Sequence, residues 1–214
     1  IRGSFLITDA IIEFNQKYPG IKINMVEYEM STLTDLVLNG SIDFFIGNSP
    51  IQNNSLTMKT IGIEHLFWAV PQNNPNNKGL EQYQVPLQEI IENNYSENNS
   101  VDFSIFSNDP FILLQPNQHI HTLLLDLCNN AGFKPNVVLQ INKLETAYSL
   151  VQKGLGVTIV SDTLIRHANL EDHPIYYALP EKSSVRNIIV VYKKNRYISH
   201  MAEKFISILK NNLV

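Results

Sequence analysis

Cysteine, long apolar runs and clusters of positive charge are all scarce in this sequence. Its one cysteine, Cys128, has no partner for an intramolecular disulfide, which favours a reducing compartment. No apolar run approaches the roughly 20 residues that a membrane-spanning helix needs. Asp and Glu (20) outnumber Lys and Arg (16), and no stretch is dense in basic residues, so the chain has no electrostatic footprint of a nucleic-acid-binding surface.

The common catalytic motifs are missing as well. The sequence has no Gly-x-Ser-x-Gly nucleophile elbow, no Gly-rich phosphate loop and no His-Glu-x-x-His. Gly154 and Gly156 lack the third glycine of a dinucleotide fingerprint, so we interpret them as a helix C-cap followed by a turn. His119 and His121 cannot share one face of a helix, which disfavours a metal site. The sequence therefore predicts no catalytic residue, cofactor or metal.

Apolar periodicity predicts an alternation of helices and strands. A spacing of 0, 3, 4 and 7 predicts a helix over residues 7–17, and Thr32 with Asp35 suggests a capping box at the next helix. Strands are predicted at 21–28, 42–47, 65–71, 110–115, 137–141, 156–160 and 187–192, and further helices around 87–91, 120–130, 142–154 and 198–209. Residues 72–100, rich in Asn, Gln and Glu, indicate a long surface segment. This alternation is typical of an α/β fold.

Two stretches, 6–47 and 119–160, share the order helix, strand, capped helix, strand. Two such lobes would leave a cleft where strand ends meet helix N-termini, which favour anions. Polar residues stand at three predicted helix starts, namely Gly3-Ser4, Ser31-Thr32 and Gln118-His119. Each pair taken alone is compatible with a simple helix cap. Three such starts in matching places indicate a small anionic ligand, and His121 could add a pH-dependent charge.

Five motifs follow one another along nearly the whole chain. They are YPGIKI (18–23), NGSIDFFIG (39–47), HLFWAVP (65–71), AGFKP (131–135) and ETAYSLVQKGLGVTIVSD (145–162). In combination they resemble the effector-binding domain of LysR-type transcriptional regulators. The first two motifs also occur in type 2 periplasmic binding proteins, which share the fold.

The resemblance implies a type 2 periplasmic-binding-protein-like α/β fold of two Rossmann-like lobes with a ligand cleft between them. Lobe I would comprise residues 1–64 and 166–214, and lobe II residues 65–165. The parent protein would be cytoplasmic and longer, and would bind DNA only through an N-terminal winged helix-turn-helix domain preceding this chain. It would form homodimers or homotetramers without binding a membrane, and the helices at 7–17 and 120–130 are the candidate interface elements.

The resemblance also implies where a small-molecule effector would bind. The effector-binding residues would be Gly3, Ser4, Ser31, Thr32, Asn48, Gln115, Gln118, His119 and His121. The bound metabolite, expected to be anionic, would be signalled to the DNA-binding domain, and the chain would not be an enzyme. Two alternatives stay open, an exported solute-binding protein of a transport system and an enzyme built on the same bilobal fold.

Overall fold

The computed structural model describes residues 6–49, 51–95, 100–168, 170–180 and 183–213, which form a mixture of helices and strands. The helices are α1 (Leu6–Lys17), α2 (Met30–Asn39), α3 (Leu87–Ile91), α4 (His119–Asn130), α5 (Leu144–Gln152), α6 (Asp162–His167) and α7 (His200–Asn211). The strands are β1 (Phe45–Asn48), β2 (Leu56–Val70), β3 (Pro110–Leu114), β4 (Asn136–Ile141), β5 (Thr158–Ser161), β6 (Ile175–Ala178) and β7 (Val185–Lys193). The α/β class is the one that the sequence predicts.

The chain divides into two compact units. Unit 1 comprises Ile1–Glu64 and Arg186–Val214, and unit 2 comprises His65–Val185. The chain thus passes from one unit to the other inside β2 and returns at the start of β7. The lobes expected from sequence place residues 166–185 in the first lobe, whereas the structure groups them with unit 2. The reason is a strand pairing, because β6 lies antiparallel to β2 with Ile175 opposite Val70.

Strand β7 organises unit 1. It pairs antiparallel with β1, with Asn48 opposite Ile188, and it also neighbours β2 in the sheet. Successive side chains of a strand point to opposite faces. Ile188 and Val190 therefore join the apolar cluster that includes α1 and α7, whereas Ile189 and Val191 join the cluster that includes α2. Burial on both faces explains why this strand reads as a continuous apolar run.

The predicted strand at 21–28 is wrong. Residues 21–29 carry no strand assignment, and four apolar side chains in this segment are more than a third exposed, those of Ile21, Met25, Val26 and Tyr28. The segment lines a groove of about 570 Å³ in unit 1, shared with α1 and with residues 41–46. A strand needs a hydrogen-bonded neighbour as well as an apolar pattern, and no described strand pairs with this segment.

Unit 2 is built on β2, β5 and β6 together with the parallel pair β3–β4. Trp68 of β2 lies opposite Ile159 of β5 and Tyr177 of β6. The indole of Trp68 is fully buried, and its ring packs against Phe103 and Phe111 at centroid distances of 4.5 and 5.6 Å. Aromatic side chains bury the largest areas of any residue type, so this cluster forms the apolar centre of unit 2.

The asparagine-rich segment after β2 is held by polar contacts. The side-chain amides of Asn74 and Asn76 donate to the buried carboxylate of Asp109 at 2.9 and 3.1 Å. The Tyr177 hydroxyl donates to the side-chain oxygen of Asn77 at 2.8 Å. Composition alone indicated a long surface segment, and the structure adds that these asparagines satisfy buried polar groups, as a folded segment requires.

Gly156 allows β3 and β5 to approach each other closely. The next residue, Val157, donates its N–H to the Pro110 carbonyl at 2.8 Å and accepts from the N–H of Ile112 at 3.0 Å. A Cβ on Gly156 would lie 2.5 Å from the Pro110 carbonyl oxygen, which is closer than real Cβ atoms come. Gly154 has φ +84° and ends α5, as the sequence predicts.

We expect Gly156→Ala to lower the free energy of unfolding by about 1–3 kcal/mol, because backbone rather than a flexible side chain must move to admit the methyl group. Chemical denaturation of the chain measures this change. Gly20→Ala is the matched control, since a Cβ there meets no atom within 4 Å. Equal denaturation midpoints for the two variants would contradict the close approach of β3 and β5.

Candidate functional site

In unit 2, the carboxyl ends of two strands meet the starts of two helices. β3 and β4 are parallel, so their carboxyl ends lie side by side, and α4 follows β3 as α5 follows β4. The side-chain amide of Gln118 donates to the Asn142 carbonyl at 2.9 Å and so joins the two connecting loops. The start of each helix leaves backbone N–H groups unpaired within the helix and carries partial positive charge. This arrangement suits an anion.

Four predicted site residues fall in one short stretch at the start of α4. Gln115 follows β3 directly, and its carbonyl accepts from the N–H of Gln118 at 3.0 Å to close a turn. Gln118 is the N-cap residue of α4, but its side chain does not cap the helix because it is directed to Asn142. His119 is exposed in the first helical turn, and His121 is half-buried two residues later.

The imidazole of His121 has a defined tautomer. Its Nδ1 lies 2.8 Å from the carbonyl oxygen of Leu114, the last residue of β3. A carbonyl oxygen only accepts, so Nδ1 must carry the hydrogen. In the neutral ring, Nε2 is then the nitrogen that offers a lone pair. Nε2 is therefore the ring nitrogen of His121 that is left for a ligand.

The corresponding part of unit 1 lies where α2 begins beside β1. Ser31 and Thr32 are exposed in the first turn of α2. The first turn also lies close to the end of β1, because a Cβ on Gly47 would be 2.9 Å from the Met30 side chain. The first intrahelical bond runs from the Leu33 N–H to the Glu29 carbonyl at 3.0 Å, so the N–H groups before it lie outside the helical ladder.

Neither capping pattern predicted from the sequence forms as expected. The N-cap residue of α2 is Glu29 and that of α5 is Lys143, and neither side chain makes a capping hydrogen bond. An N-cap residue has extended backbone angles, and Glu29 (φ −65°, ψ 156°) and Lys143 (φ −107°, ψ 124°) have them. Thr32 consequently lies inside α2, and Asn142 lies before the start of α5. Lys143 adds an exposed cation to the helix start, which the sequence analysis did not single out.

Asn48 ends β1 and contacts a buried charge. Its side-chain amide lies 3.3 Å from Oε2 of Glu64 and 3.3 Å from the carbonyl oxygen of Asn187. The same Glu64 oxygen accepts from Nε of Arg186 at 2.6 Å. Sequence reasoning missed both charged residues. The one available signal was a lone glutamate inside the apolar run IGIEHLFWAV.

The predicted site residues thus fall into two local sets. Ser31, Thr32 and Asn48 belong to unit 1, whereas Gln115, Gln118, His119 and His121 belong to unit 2. Gly3 and Ser4 lie outside the described residues, so their role stays a prediction. In the part of the chain that the structure describes, no group of three or more His, Cys, Asp or Glu side chains could hold a metal ion.

Burial favours the neutral forms of several other ionisable side chains in unit 2. The hydroxyls of Tyr148 and Tyr176 hydrogen-bond to each other, and both lie within 3.0 Å of Nδ1 of His173. Burial raises the pKa of Tyr148 to about 12 and lowers the pKa of His173. Burial likewise raises the pKa of the Cys128 thiol to about 12, so it is not a thiolate nucleophile near neutral pH.

We expect long-range ¹H–¹⁵N correlation spectra to show His121 as the Nδ1–H tautomer at a pH where the ring is neutral. The carbonyl of Leu114 imposes this tautomer, since it has no hydrogen to donate. His167, on the short helix α6, provides a reference resonance in the same spectrum. An Nε2–H tautomer for His121 would contradict the hydrogen bond to Leu114.

Comparison with known proteins identifies the family. The family model described as the LysR substrate binding domain matches residues 3–214. The HTH-type transcriptional regulator YcgK of Bacillus subtilis is 28% identical over 218 residues, which cover 100% of this chain and 64% of that protein. The chain spans 55–64% of the length of the first curated relatives that it matches, all of them transcriptional regulators of Bacillus subtilis. A transport protein is not favoured by these matches.

Solved structures show the fold. The regulatory domain of CcmR from Synechocystis PCC6803, in complex with 2-PG, has a TM-score of 0.78 at 15% identity, covering 99% of this chain and 92% of that one. The effector-binding domain of BenM with its effector benzoate has a TM-score of 0.70 at 19% identity, covering 96% and 85%. No helix among the described residues is both long and apolar enough to cross a membrane. The chain has the type 2 periplasmic-binding-protein-like α/β fold and belongs to the LysR substrate-binding domain family.

Proposed function

We propose that this chain is the ligand-sensing domain of a LysR-type transcriptional regulator and that it binds a small anionic metabolite. The observation that supports an anionic ligand is a structural arrangement that both units share. Each unit places the start of a helix beside the carboxyl end of a strand and adds amide, hydroxyl or imidazole groups there. Helix starts of this kind stabilise negative charge.

Each unit would supply its own donors. In unit 1 these are the N–H groups of the first turn of α2, the hydroxyls of Ser31 and Thr32, and the amide of Asn48. A hydrogen bond to a charged group contributes about 1.5–3 kcal/mol, so two or three of them give useful affinity for a small molecule. Gly3 and Ser4 remain part of this proposal through the family resemblance alone.

In unit 2 the roles would differ between residues. The side chain of Gln118 already bonds Asn142, so Gln118 would hold the two helix starts together while its neighbours contact the ligand. Gln115 and His119 would offer polar contacts from the loop and the first turn of α4. His121, whose Nδ1 is held by the Leu114 carbonyl, would present Nε2 to the ligand.

Two neighbouring structures support this ligand class. The BenM domain was solved with benzoate, a carboxylate anion, and the CcmR domain with 2-PG. Those ligands belong to those proteins, and the similarity to this chain is one of fold. The proposal for this chain therefore extends to an anion and not to a particular compound.

The activity of the whole protein is part of the same proposal. In the parent regulator, ligand binding would be signalled to an N-terminal DNA-binding domain in the cytoplasm, which is an allosteric coupling of two sites. The chain itself would catalyse no reaction.

The expected homodimer or homotetramer also stays a prediction, with α1 and α4 as candidate interface helices. Ile12 of α1 is 57% exposed, and sedimentation equilibrium of the Ile12→Glu variant against the native chain tests whether α1 takes part.

We expect benzoate or inorganic phosphate, but not neutral benzamide, to raise the melting temperature of the chain. A ligand at 100 times its dissociation constant stabilises a protein by about 2.7 kcal/mol, which a thermal-shift assay detects readily. Ser31→Ala combined with Thr32→Ala should weaken the responding anion by about tenfold or more, because two donors to a charge are lost.

Thr34→Ala is the matched control for these variants. Thr34 lies on the same helix but beyond its first turn, so its loss should leave anion affinity unchanged. Stabilisation by benzamide equal to that by benzoate would contradict an anion site. Equal weakening by the Thr34 variant and the Ser31/Thr32 variant would contradict the proposed place of the anion.

A further inference from the structure

The chain crosses between the units twice, and we call these two crossings the passages. A buried ion pair joins the residues of unit 1 that lie next to them. Glu64 is the last residue of unit 1 before the first passage, and Arg186 is the first residue of unit 1 after the return. Nε of Arg186 lies 2.6 Å from Oε2 of Glu64, and the two side chains are 9% and 2% exposed. β2 and β7 are neighbours in the sheet. The pair therefore joins these strands at the residues where they leave unit 1.

Stability alone does not account for this pair. Burying two charges removes their hydration, and apolar side chains of similar volume often stabilise a core equally well or better. Losing one partner, however, leaves an uncompensated charge in the interior. A buried pair thus makes the arrangement of β2 and β7 sensitive to the electrostatic environment of Glu64.

Asn48 connects this pair to the proposed ligand site. Its Nδ2 lies 3.3 Å from Oε2 of Glu64, the same atom that Arg186 contacts, and 3.3 Å from the carbonyl oxygen of Asn187. Both distances exceed the usual range of about 2.7–3.2 Å for N–H···O hydrogen bonds. An anion that accepts from this amide at an ordinary distance would therefore compete with Glu64 for it.

On the unit 2 side of the first passage, the next residue is also anchored by a carboxylate. The N–H of His65 donates to Oδ1 of Asp162 at 3.1 Å, and Oδ2 of Asp162 accepts from Arg166 at 2.9 Å. Asp162 is 2% exposed. Glu64 and His65, which are neighbours on β2, are therefore each held by a contact with a charged side chain, Arg186 for Glu64 and Asp162 for His65.

We propose that Glu64 is a positioning residue that couples an anion at Asn48 to the two strands connecting the units. This inference rests on the proposed function. The anion draws the Asn48 amide away from Glu64 and brings negative charge near it. Glu64 keeps its ion pair with Arg186, which joins β2 to β7, and with the anion bound these strands open less often around the passages.

The test combines two measurements on the whole chain, with benzoate and inorganic phosphate as probes. NMR follows the side-chain amide of Asn48, and hydrogen exchange follows the backbone amides of residues 60–66 and 186–191. In the native chain, the anion that shifts the Asn48 signal should slow exchange in both segments by about fivefold or more. In Glu64→Leu/Arg186→Met, the anion should still shift the Asn48 signal without slowing exchange.

Two further variants sharpen the test. Glu64→Gln keeps the shape of the side chain and should also lose the exchange response, so the result does not depend on one variant folding. Asp109→Asn is the matched control, because Asp109 is a buried carboxylate that accepts from asparagine amides elsewhere in unit 2. It should keep the response of the native chain.

The outcomes separate the coupling from the binding. A shifted Asn48 signal with unchanged exchange in the native chain would overturn the coupling and leave anion binding intact. Slowed exchange that persists in both Glu64 variants would overturn it too. If neither probe shifts the Asn48 signal, the proposed function falls, and the coupling falls with it.

Discussion

The placement of helix starts beside the carboxyl ends of strands is the constraint on which the proposed site depends. A helix start has backbone N–H groups without intrahelical partners, and these must be met by side chains, water or a ligand. In this chain the N-cap side chains of α2, α4 and α5 make no capping hydrogen bond. Helices α6 and α7, which lie away from the predicted site residues, are capped by Ser161 and Ser199. Two of these uncapped starts, those of α2 and α4, carry residues that the family resemblance predicts to bind a ligand, whereas α3, with Pro86 at its N-cap, is uncapped without such residues.

In our proposal, the same site is also linked to the connections between the units. Asn48 ends the strand next to α2, and its amide reaches the buried Glu64–Arg186 pair. The chain passes between the units at these two residues, so Asn48 contacts the residue at the first passage directly and reaches the one at the second through Glu64. An allosteric domain needs an element that ligand binding biases, and we propose the buried Glu64–Arg186 pair for that role.

The sequence predicted the family, the α/β class and most elements, because apolar periodicity and local motifs carry that information. It failed where structure depends on distant partners. The segment 21–28 has the alternation of a strand but no described neighbour to pair with, and the caps of α2 and α5 depend on backbone angles that residue type does not fix. The pairing of Glu64 with Arg186 joins residues 122 positions apart, so no local pattern could reveal it. The polar stretch Gln115–His121 could be placed at the junction of β3 and α4 because its residues are close in sequence, and its role in ligand binding stays a prediction.

A crystal structure of the chain with the probe anion that stabilises it most would test the central claim, that an anion is bound at the start of α2 and by Asn48. The account predicts an anion that accepts from the N–H groups of Ser31 or Thr32 and from Asn48 Nδ2, with that nitrogen moved out of hydrogen-bonding range of Glu64. An anion bound only elsewhere, or an Asn48 amide still 3.3 Å from Glu64 with the anion present, would contradict it.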